Sequence, residues 1–206
     1  MPEDRSSCDD KATLRFYAEK AEIYVASGPG GVSRNLYNFL TKLTPGASIL
    51  ELGCGSGRDA EAMIKGGFIV EPTDGTPEIA RQAEERLSRK VRVMRFDELD
   101  DSEEYDAVWA NASLLHVPRA GLPHILELIF KALKPGGLHF ASYKTGGLEG
   151  RDDHGRYFNY LERAEVLELY RTVAPWEVEE VIDSVEDGFL GKRSPWVAIT
   201  VRKADR

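Results

Sequence analysis

From residue 48 to residue 144, short apolar runs alternate with segments whose apolar residues recur every three or four positions. Ile49, Leu50 and Leu52 form a run too short for a helix, and it stops at three alternating glycines, Gly53, Gly55 and Gly57. An amphipathic segment starts at Arg58, carries Ala60, Met63 and Ile64, and ends at Gly66-Gly67. A buried strand, a tight turn and a helix are predicted. Phe68-Ile69-Val70 begins a second strand, and Thr76-Pro77 is a cap and first-turn pair for a helix that buries Ile79, Ala83 and Leu87. A third strand is predicted from Val91 to Phe96 and a fourth from Tyr105 to Ala110. A helix bearing Leu122, Ile125, Ile129 and Leu133 follows, and Lys134-Pro135-Gly136-Gly137 turns into a fifth strand, Leu138 to Tyr143. This alternation predicts an α/β fold with a mostly parallel sheet and helices on both faces. A further helix runs from Leu161 to Tyr170. Trp176 to Ser184 and Pro195 to Val201 then follow with only a loop rich in Gly, Asp and Lys between them, so they should pair antiparallel.

Ahead of the glycine turn, Leu14, Tyr17, Ala21, Tyr24 and Val25 recur at helical spacing until Gly28-Pro29-Gly30-Gly31 breaks the pattern. A second helix places Leu36, Phe39, Leu40 and Leu43 on one face, and residues 1–8 are expected to be disordered.

The glycine turn is the first stretch with chemistry in it. Glycine admits backbone angles closed to other residues and lets a ligand approach the main chain. The helix start beyond it adds unpaired N–H groups. A dinucleotide fingerprint G-x-G-x-x-G would need glycine at position 58, where this chain has Arg58. It reads instead E-x-G-x-G-x-G from Glu51 to Gly57. In this the chain resembles the class I S-adenosylmethionine (SAM)-dependent methyltransferases, and its general type is similar to small bacterial members that include tellurite-resistance enzymes. The Asn111-Ala112-Ser113-Leu114 stretch after the fourth strand, the K-P-G-G turn and the terminal hairpin carry the same resemblance.

The resemblance implies a Rossmann-like, doubly wound sheet of seven strands ending in an antiparallel hairpin. It also implies one domain over residues 1–206, with 1–46 as a helical cap on a core of 47–206. SAM would lie along Glu51, Gly53, Gly55 and Gly57. Asp74 stands at the second strand's end beside that turn, where a carboxylate can accept bonds from ribose hydroxyls; Gly75 adjoins it and Glu71 is the alternative. Asp97, at the third strand's end, would accept from the adenine amino group. Asn111, Ser113 and Leu114 would floor the methyl site. Tyr17 and Tyr24 are either a cover over the cofactor or ordinary core residues of an amphipathic helix.

The acceptor side is less defined. Residues 145–160 lack periodicity yet hold Tyr157, Phe158 and Tyr160 beside Arg151, His154 and Arg156. One reading is a substrate lid in which Arg151, Arg156 and Tyr157 hold an anionic acceptor. The other is a loop packing its aromatics on the sheet, with its arginines bonded to its own acids. His116 is a candidate base or positioning group, or a residue serving only the approach to the next helix. His124 and His139 read as structural, Cys54 as a small residue suited to the turn, and no His, Cys or acidic pair shows zinc spacing.

Composition narrows the partners. A net charge of −8 argues against a large phosphate-binding surface and for a small-molecule substrate over nucleic acid. No apolar run approaches the roughly 20 residues needed to cross a bilayer. The start is acidic and polar, and two cysteines suggest no disulfide framework, so no membrane contact and a cytoplasmic setting are expected. The function expected is methyl transfer from SAM to a small molecule. The alternatives are a non-catalytic SAM-binding protein and an NAD-dependent oxidoreductase, against which Arg58 and the hairpin count.

Overall fold

The computed structural model describes residues 8–27, 31–187 and 193–205. The expected disorder over 1–8 therefore falls, but for Cys8, outside the described residues. So do most of the Gly28–Gly31 break and the loop between the last two strands, residues 188–192.

The apolar periods become these elements in chain order: α1 (Lys11–Ser27), α2 (Leu36–Leu40), β1 (Ser48–Leu52), α3 (Arg58–Lys65), β2 (Ile69–Asp74), α4 (Pro77–Leu87) and β3 (Arg92–Val93). There follow β4 (Tyr105–Ala110), α5 (Leu122–Ala132), β5 (Leu133–Lys144), β6 (Gly150–Arg151), β7 (Tyr157–Phe158), α6 (Arg163–Val173), β8 (Trp176–Asp187) and β9 (Arg193–Lys203). Seven strands form one sheet in the order β3-β2-β1-β4-β5-β9-β8. The first five run parallel, and β9 pairs antiparallel with both β5 and β8. The Rossmann-like, doubly wound sheet is thus as the resemblance implies, terminal hairpin included.

Both faces of the central strands are apolar because helices cover both. Along β1, Leu50 and Leu52 enter a core with Val108, Ile125, Leu126 and Ile129, while Ile49 enters the opposite one with Leu36, Phe39, Met63 and Trp109. In that second layer the Trp109 and Phe140 rings stack with centroids 4.0 Å apart. The chain leaves β1 toward β2 on one side and returns to β4 on the other, so the carboxyl ends of β1 and β4 diverge. Such a switch point opens the crevice in which this class of sheet binds ligands.

Three local expectations are corrected. The third strand is only Arg92–Val93, not Val91–Phe96. It is an edge strand whose only neighbour, β2, ends at Asp74. Beyond Met94, whose N–H reaches the Asp74 carbonyl, the chain coils into a 3₁₀ turn at Phe96–Glu98. Leu133 is not the last helical apolar residue but the first of β5. There Lys134-Pro135-Gly136-Gly137 forms a bulge that shifts the β4 pairing from Tyr105–Leu133 to Ala107–Leu138. Finally, residues 145–160 contain a two-stranded hairpin, β6 with β7. Thr76 does occupy the cap position of α4, but its side chain makes no capping bond.

Among the described residues no helix is long and apolar enough to cross a membrane.

Candidate functional site

The turn after β1 is pinned from below. The N–H groups of Gly53 and Cys54 both donate to the Thr73 carbonyl, at 3.0 and 2.8 Å. Gly53 and Gly55 have φ of +75° and +54°, in the left-handed region. A Cβ on Gly53 would lie 2.7 Å from the Ser113 Cβ, and one on Gly55 3.2 Å from the Tyr24 hydroxyl. Gly53 therefore requires glycine for space as well as for angle, and Gly55 chiefly for angle. Gly57 serves elsewhere: it is the left-handed cap of α3, against Leu87, and does not line the crevice.

Asp74, the last residue of β2, is held against this turn. Its Oδ2 accepts the Gly55 N–H at 3.1 Å and its Oδ1 the Thr76 N–H at 2.9 Å. Burial pushes its pKa up to about 6, and those two N–H groups restrain the rise. Glu51, at 3% exposure, lines the crevice with an Oε2 that has no hydrogen-bond partner among the described residues. Burial first, then the Asp59 and Asp74 carboxylates, raise its pKa well above the usual range. Asp59 is committed to structure, accepting from the Ser33 N–H (2.7 Å) and the Trp109 indole N–H (3.0 Å).

Past β4 the floor is tied together by side chains from three distant segments. Asn111 donates to Ser33 Oγ (2.7 Å) and accepts from Ser142 Oγ (2.9 Å), and Ser142 Oγ in turn accepts the Ala112 N–H (2.8 Å). Ala112 sits at φ +51°, a costly conformation for a residue with a Cβ, and the Ser142 bond supports it. Ser113 is buried and lines the crevice, its Oγ without a hydrogen-bond partner among the described residues. Leu114 is fully buried in the core and does not line it.

The opposite wall comes from α1 and from the β6–β7 hairpin. The Tyr17 hydroxyl lies 2.9 Å from His116 Nε2, and His116 Nδ1 lies 2.6 Å from the Tyr157 carbonyl oxygen. A carbonyl only accepts, so Nδ1 is assigned the proton and Nε2 accepts from Tyr17. Arg156 donates to the Tyr17 oxygen at 3.2 Å. Burial lowers the His116 pKa to about 4, which keeps the ring neutral. Tyr24 packs edge-on to Tyr17, centroids 5.1 Å apart.

The hairpin corrects the lid expectation for two of its three named residues. In β6–β7, Arg151 pairs with Tyr157 and Gly150 with Phe158, so residues 156 and 158 share one side and 157 takes the other. Arg156 and Phe158 line the crevice; Arg151 and Tyr157 do not. Arg151 bridges to Asp10 at 2.6 Å, Arg156 to Asp152 at 2.7 Å, and the Tyr157 hydroxyl bonds Glu149. The arginines are thus bonded to acids, and the Tyr157 N–H donates to Thr13 Oγ1, fastening the hairpin to α1.

The crevice has two connected lobes that share Tyr17, Tyr24, Gly53, Gly55, Ala112 and His116. One lies beside Asp74, Gly75 and Thr76 and is walled by Leu14, Ile79 and Phe96; the other runs past Glu51 and Asn111 toward Lys144, Phe158 and Trp196. Asp97 is not in either lining. It sits on the 3₁₀ turn 3.5 Å from Arg95 Nε, and its neighbour Phe96 faces the lobe instead. Sequence reasoning passed over Phe96, although an aromatic at the third strand's exit was the available signal. It also missed Ser33 and Ser142, for which no local signal exists. Among the described residues no three His, Cys, Asp or Glu side chains cluster as a metal site. Cys54 is buried with its thiol pKa pushed well up by that burial, so it is no thiolate nucleophile.

Against known proteins, a family described as a methyltransferase domain matches residues 49–137. The ubiquinone biosynthesis O-methyltransferase of Xanthomonas campestris pv. campestris (strain B100) is 34% identical over 105 residues, 48% of this chain and 43% of that protein. The chain thus aligns with less than half the length of that curated relative. Burkholderia thailandensis 1,6-didemethyltoxoflavin-N1-methyltransferase, solved with 1,6-didemethyltoxoflavin and S-adenosylhomocysteine, superposes with a TM-score of 0.74 at 21% identity, covering 93% of this chain and 85% of that one. TehB from Haemophilus influenzae gives 0.69 at 16% identity, covering 93% and 67%. At these identities the two structures speak for the fold alone, and the methyltransferase-domain match takes in the glycine turn and both crevice-forming strands. Residues 49–137 thus match a methyltransferase domain, and the chain has the fold of SAM-dependent methyltransferases of known structure.

Proposed function

We propose that this chain transfers a methyl group from SAM to a small-molecule acceptor. The observation that carries the reading is a side-chain-free turn, at Gly53 and Gly55, in a crevice that also holds two buried oxygens without hydrogen-bond partners among the described residues, Glu51 Oε2 and Ser113 Oγ. A buried polar atom left unpaired costs about 1–3 kcal/mol, so a crevice that keeps two of them is suited to a polar ligand that satisfies them. The residues present fit SAM. Asp74 and Gly75 would hold the ribose hydroxyls, and the apolar walls Leu14, Ile79 and Phe96 suit a flat purine. Glu51 would face the cationic amino-acid end. Asp97 enters as a support behind Phe96 rather than as a contact, and Leu114 as packing beneath Ser113.

SAM supplies a methyl carbon made electrophilic by a sulfonium. What the chain adds is alignment, exclusion of water and placement of protons. Asn111, Ala112 and Ser113 fix the floor where the two lobes meet, while Tyr17 and Tyr24 cover it. His116 holds the Tyr17 hydroxyl through Nε2; its weak basicity makes it a positioning group for that cover. Arg156 and Phe158 border the acceptor lobe in place of Arg151 and Tyr157.

Arg58, where a dinucleotide site would have glycine, disfavours the oxidoreductase reading. A single domain, with residues 1–46 capping 47–206, is supported by α1 contributing Leu14 and Tyr17 to the crevice wall. A small acceptor rather than nucleic acid is supported by the net charge of −8, and a reducing, cytoplasmic setting by two buried cysteines, neither of them in a disulfide.

Calorimetry with SAM and S-adenosylhomocysteine tests the reading. Both are expected to bind, and Asp74→Ala to weaken them by about a hundredfold or more, since two hydrogen bonds to a charged group are lost. Failure of either molecule to bind the wild-type chain would refute it. Tight binding without methylated product from any acceptor would favour the non-catalytic alternative.

A further inference from the structure

The two elements that wall the crevice opposite the glycine turn are anchored in different ways. Thr13, Leu14, Tyr17 and Tyr24 of α1 cover the lobe beside Asp74. Among the described residues, no side chain of α1 joins the apolar clusters of the core or packs against them as a partly buried member. Its Ile23 is 58% exposed. A helix with so little apolar burial parts from its neighbours at lower cost than the core elements do. The β6–β7 hairpin is the opposite case. Its Phe158 belongs to the main core at 2% exposure, and just beyond it the Asn159 N–H donates to the Leu115 carbonyl at 2.9 Å. Arg119 donates to the carbonyls of Asn159 and Tyr160, each at 2.8 Å. The hairpin is a fixed post, and α1 a thinly seated roof.

Polar ties fasten the roof to the post along one side. Arg151 donates to both carboxylate oxygens of Asp10, at 2.9 and 2.6 Å. The Tyr157 N–H reaches Thr13 Oγ1 at 2.8 Å, and Arg156 the Tyr17 hydroxyl at 3.2 Å. Asp10 also caps α1, its Oδ1 accepting the N–H and the hydroxyl of Thr13, both at 2.7 Å. The first tie is therefore made to the very residue that starts the helix. With the Arg151 side chain 48% exposed, it is a pair that water and salt weaken. Under α1 the lobe beside Asp74 holds about 90 Å³. A site for a small organic ligand usually takes roughly 300 Å³ or more, so a nucleoside reaches Asp74 only when α1 moves outward.

We infer that α1 is a gate over the cofactor lobe, latched by the Arg151–Asp10 pair to the hairpin that walls the acceptor lobe. The inference rests on the reading that SAM occupies this crevice, and adds how its exchange is controlled. Arg151 is a positioning residue: it lines neither lobe and works through Asp10 on the helix that carries Leu14 and Tyr17. While the gate is shut for most of the time, ligand association is slowed by the fraction of molecules that stand open, and a weaker latch raises that fraction. Loss of an ordinary stabilising contact acts on the other rate, speeding dissociation while association stays nearly as it was.

The test is surface plasmon resonance of S-adenosylhomocysteine on the immobilised full chain, which gives association and dissociation rates separately. Arg151→Ala is expected to raise the association rate by about three- to tenfold, with Kd weakened by no more than about twofold. Arg151→Lys keeps the charge and should restore most of the slow association. Raising the salt from about 0.05 to about 0.5 M should speed association to the wild type by screening the pair, and Arg151→Ala should lose that dependence, since the probe carries no net charge to be steered. Circular dichroism establishes that each variant is folded. An association rate that Arg151→Ala leaves unchanged or lowers, a Kd weakened in step with faster dissociation, no restoration by Arg151→Lys, or the same salt dependence in wild type and Arg151→Ala would overturn the inference. Failure of the wild type to bind S-adenosylhomocysteine would instead strike the underlying reading, so the two failures are distinguishable.

Discussion

Gly53→Ala separates the two demands the glycine turn makes on its sequence. The first is angular. At φ +75° an L-residue is in the left-handed region, which costs roughly 1–2 kcal/mol. The second is spatial. The added methyl would stand 2.7 Å from the Ser113 Cβ, which is fixed to the backbone and cannot swing aside. Overpacking of this kind costs about 1–3 kcal/mol, so the substitution should destabilise by roughly 2–5 kcal/mol in all. For a chain of this length each kcal/mol moves Tm by about 2–4 °C. Ser113→Gly removes the opposing Cβ and so relieves the spatial part while leaving the angular part. Urea unfolding of the wild type, both single variants and the double variant gives the coupling energy. It should be favourable by roughly 1–3 kcal/mol, with the double variant still less stable than Ser113→Gly alone. A coupling of zero, or a Gly53→Ala chain as stable as the wild type, would refute the account of the turn.

Two further predictions follow from groups away from the turn. His139 is fully buried, donating through Nδ1 toward the Val108 carbonyl and accepting the Tyr170 hydroxyl at Nε2, and burial lowers its pKa from 6.5 to about 4. Below pH 6.5 the unfolded chain takes up a proton that the folded one refuses. Roughly 3 kcal/mol of stability is therefore lost between pH 6.5 and 4. His139→Leu should make that part of the stability–pH curve shallower by the His139 share, the His116 share remaining, and an unchanged slope in urea titrations would contradict it. Ser142→Ala leaves the Ala112 N–H and the Asn111 oxygen without their shared partner. Stability should fall by about 1–3 kcal/mol, and methyl transfer should fall more than SAM affinity; equal activity to wild type would show that Ala112 needs no such support.

How much of this was legible in the chain depends on how local each signal is. The strand, turn and helix from Glu51 to Arg58 were legible because they are contiguous, and the place of Asp74 beside the turn because it closes the neighbouring strand, whereas Gly57 proved to cap α3 rather than line the crevice. The end of β3 was not legible: it is set by where β2 stops offering partners, which Val91 to Phe96 does not encode. Leu133 fits the helical period and a strand start equally well, and only the bulge at Gly136-Gly137 decides between them. Within the hairpin, Arg151, Arg156, Tyr157 and Phe158 look alike as candidates. The register of Arg151 with Tyr157 sends two toward the crevice and two away. The Tyr17–His116 and Ser33–Asn111–Ser142 contacts join residues from distant segments, and no spacing rule reaches that far.

The most direct test of the central claim is a crystal structure of the chain with S-adenosylhomocysteine. The account predicts ribose hydroxyls on the Asp74 carboxylate, the purine against Phe96 and Ile79, and the backbone of Gly53 and Gly55 beneath the molecule. A nucleoside bound away from the β1 turn, or an Asp74 carboxylate still engaged only by Gly55 and Thr76, would contradict it.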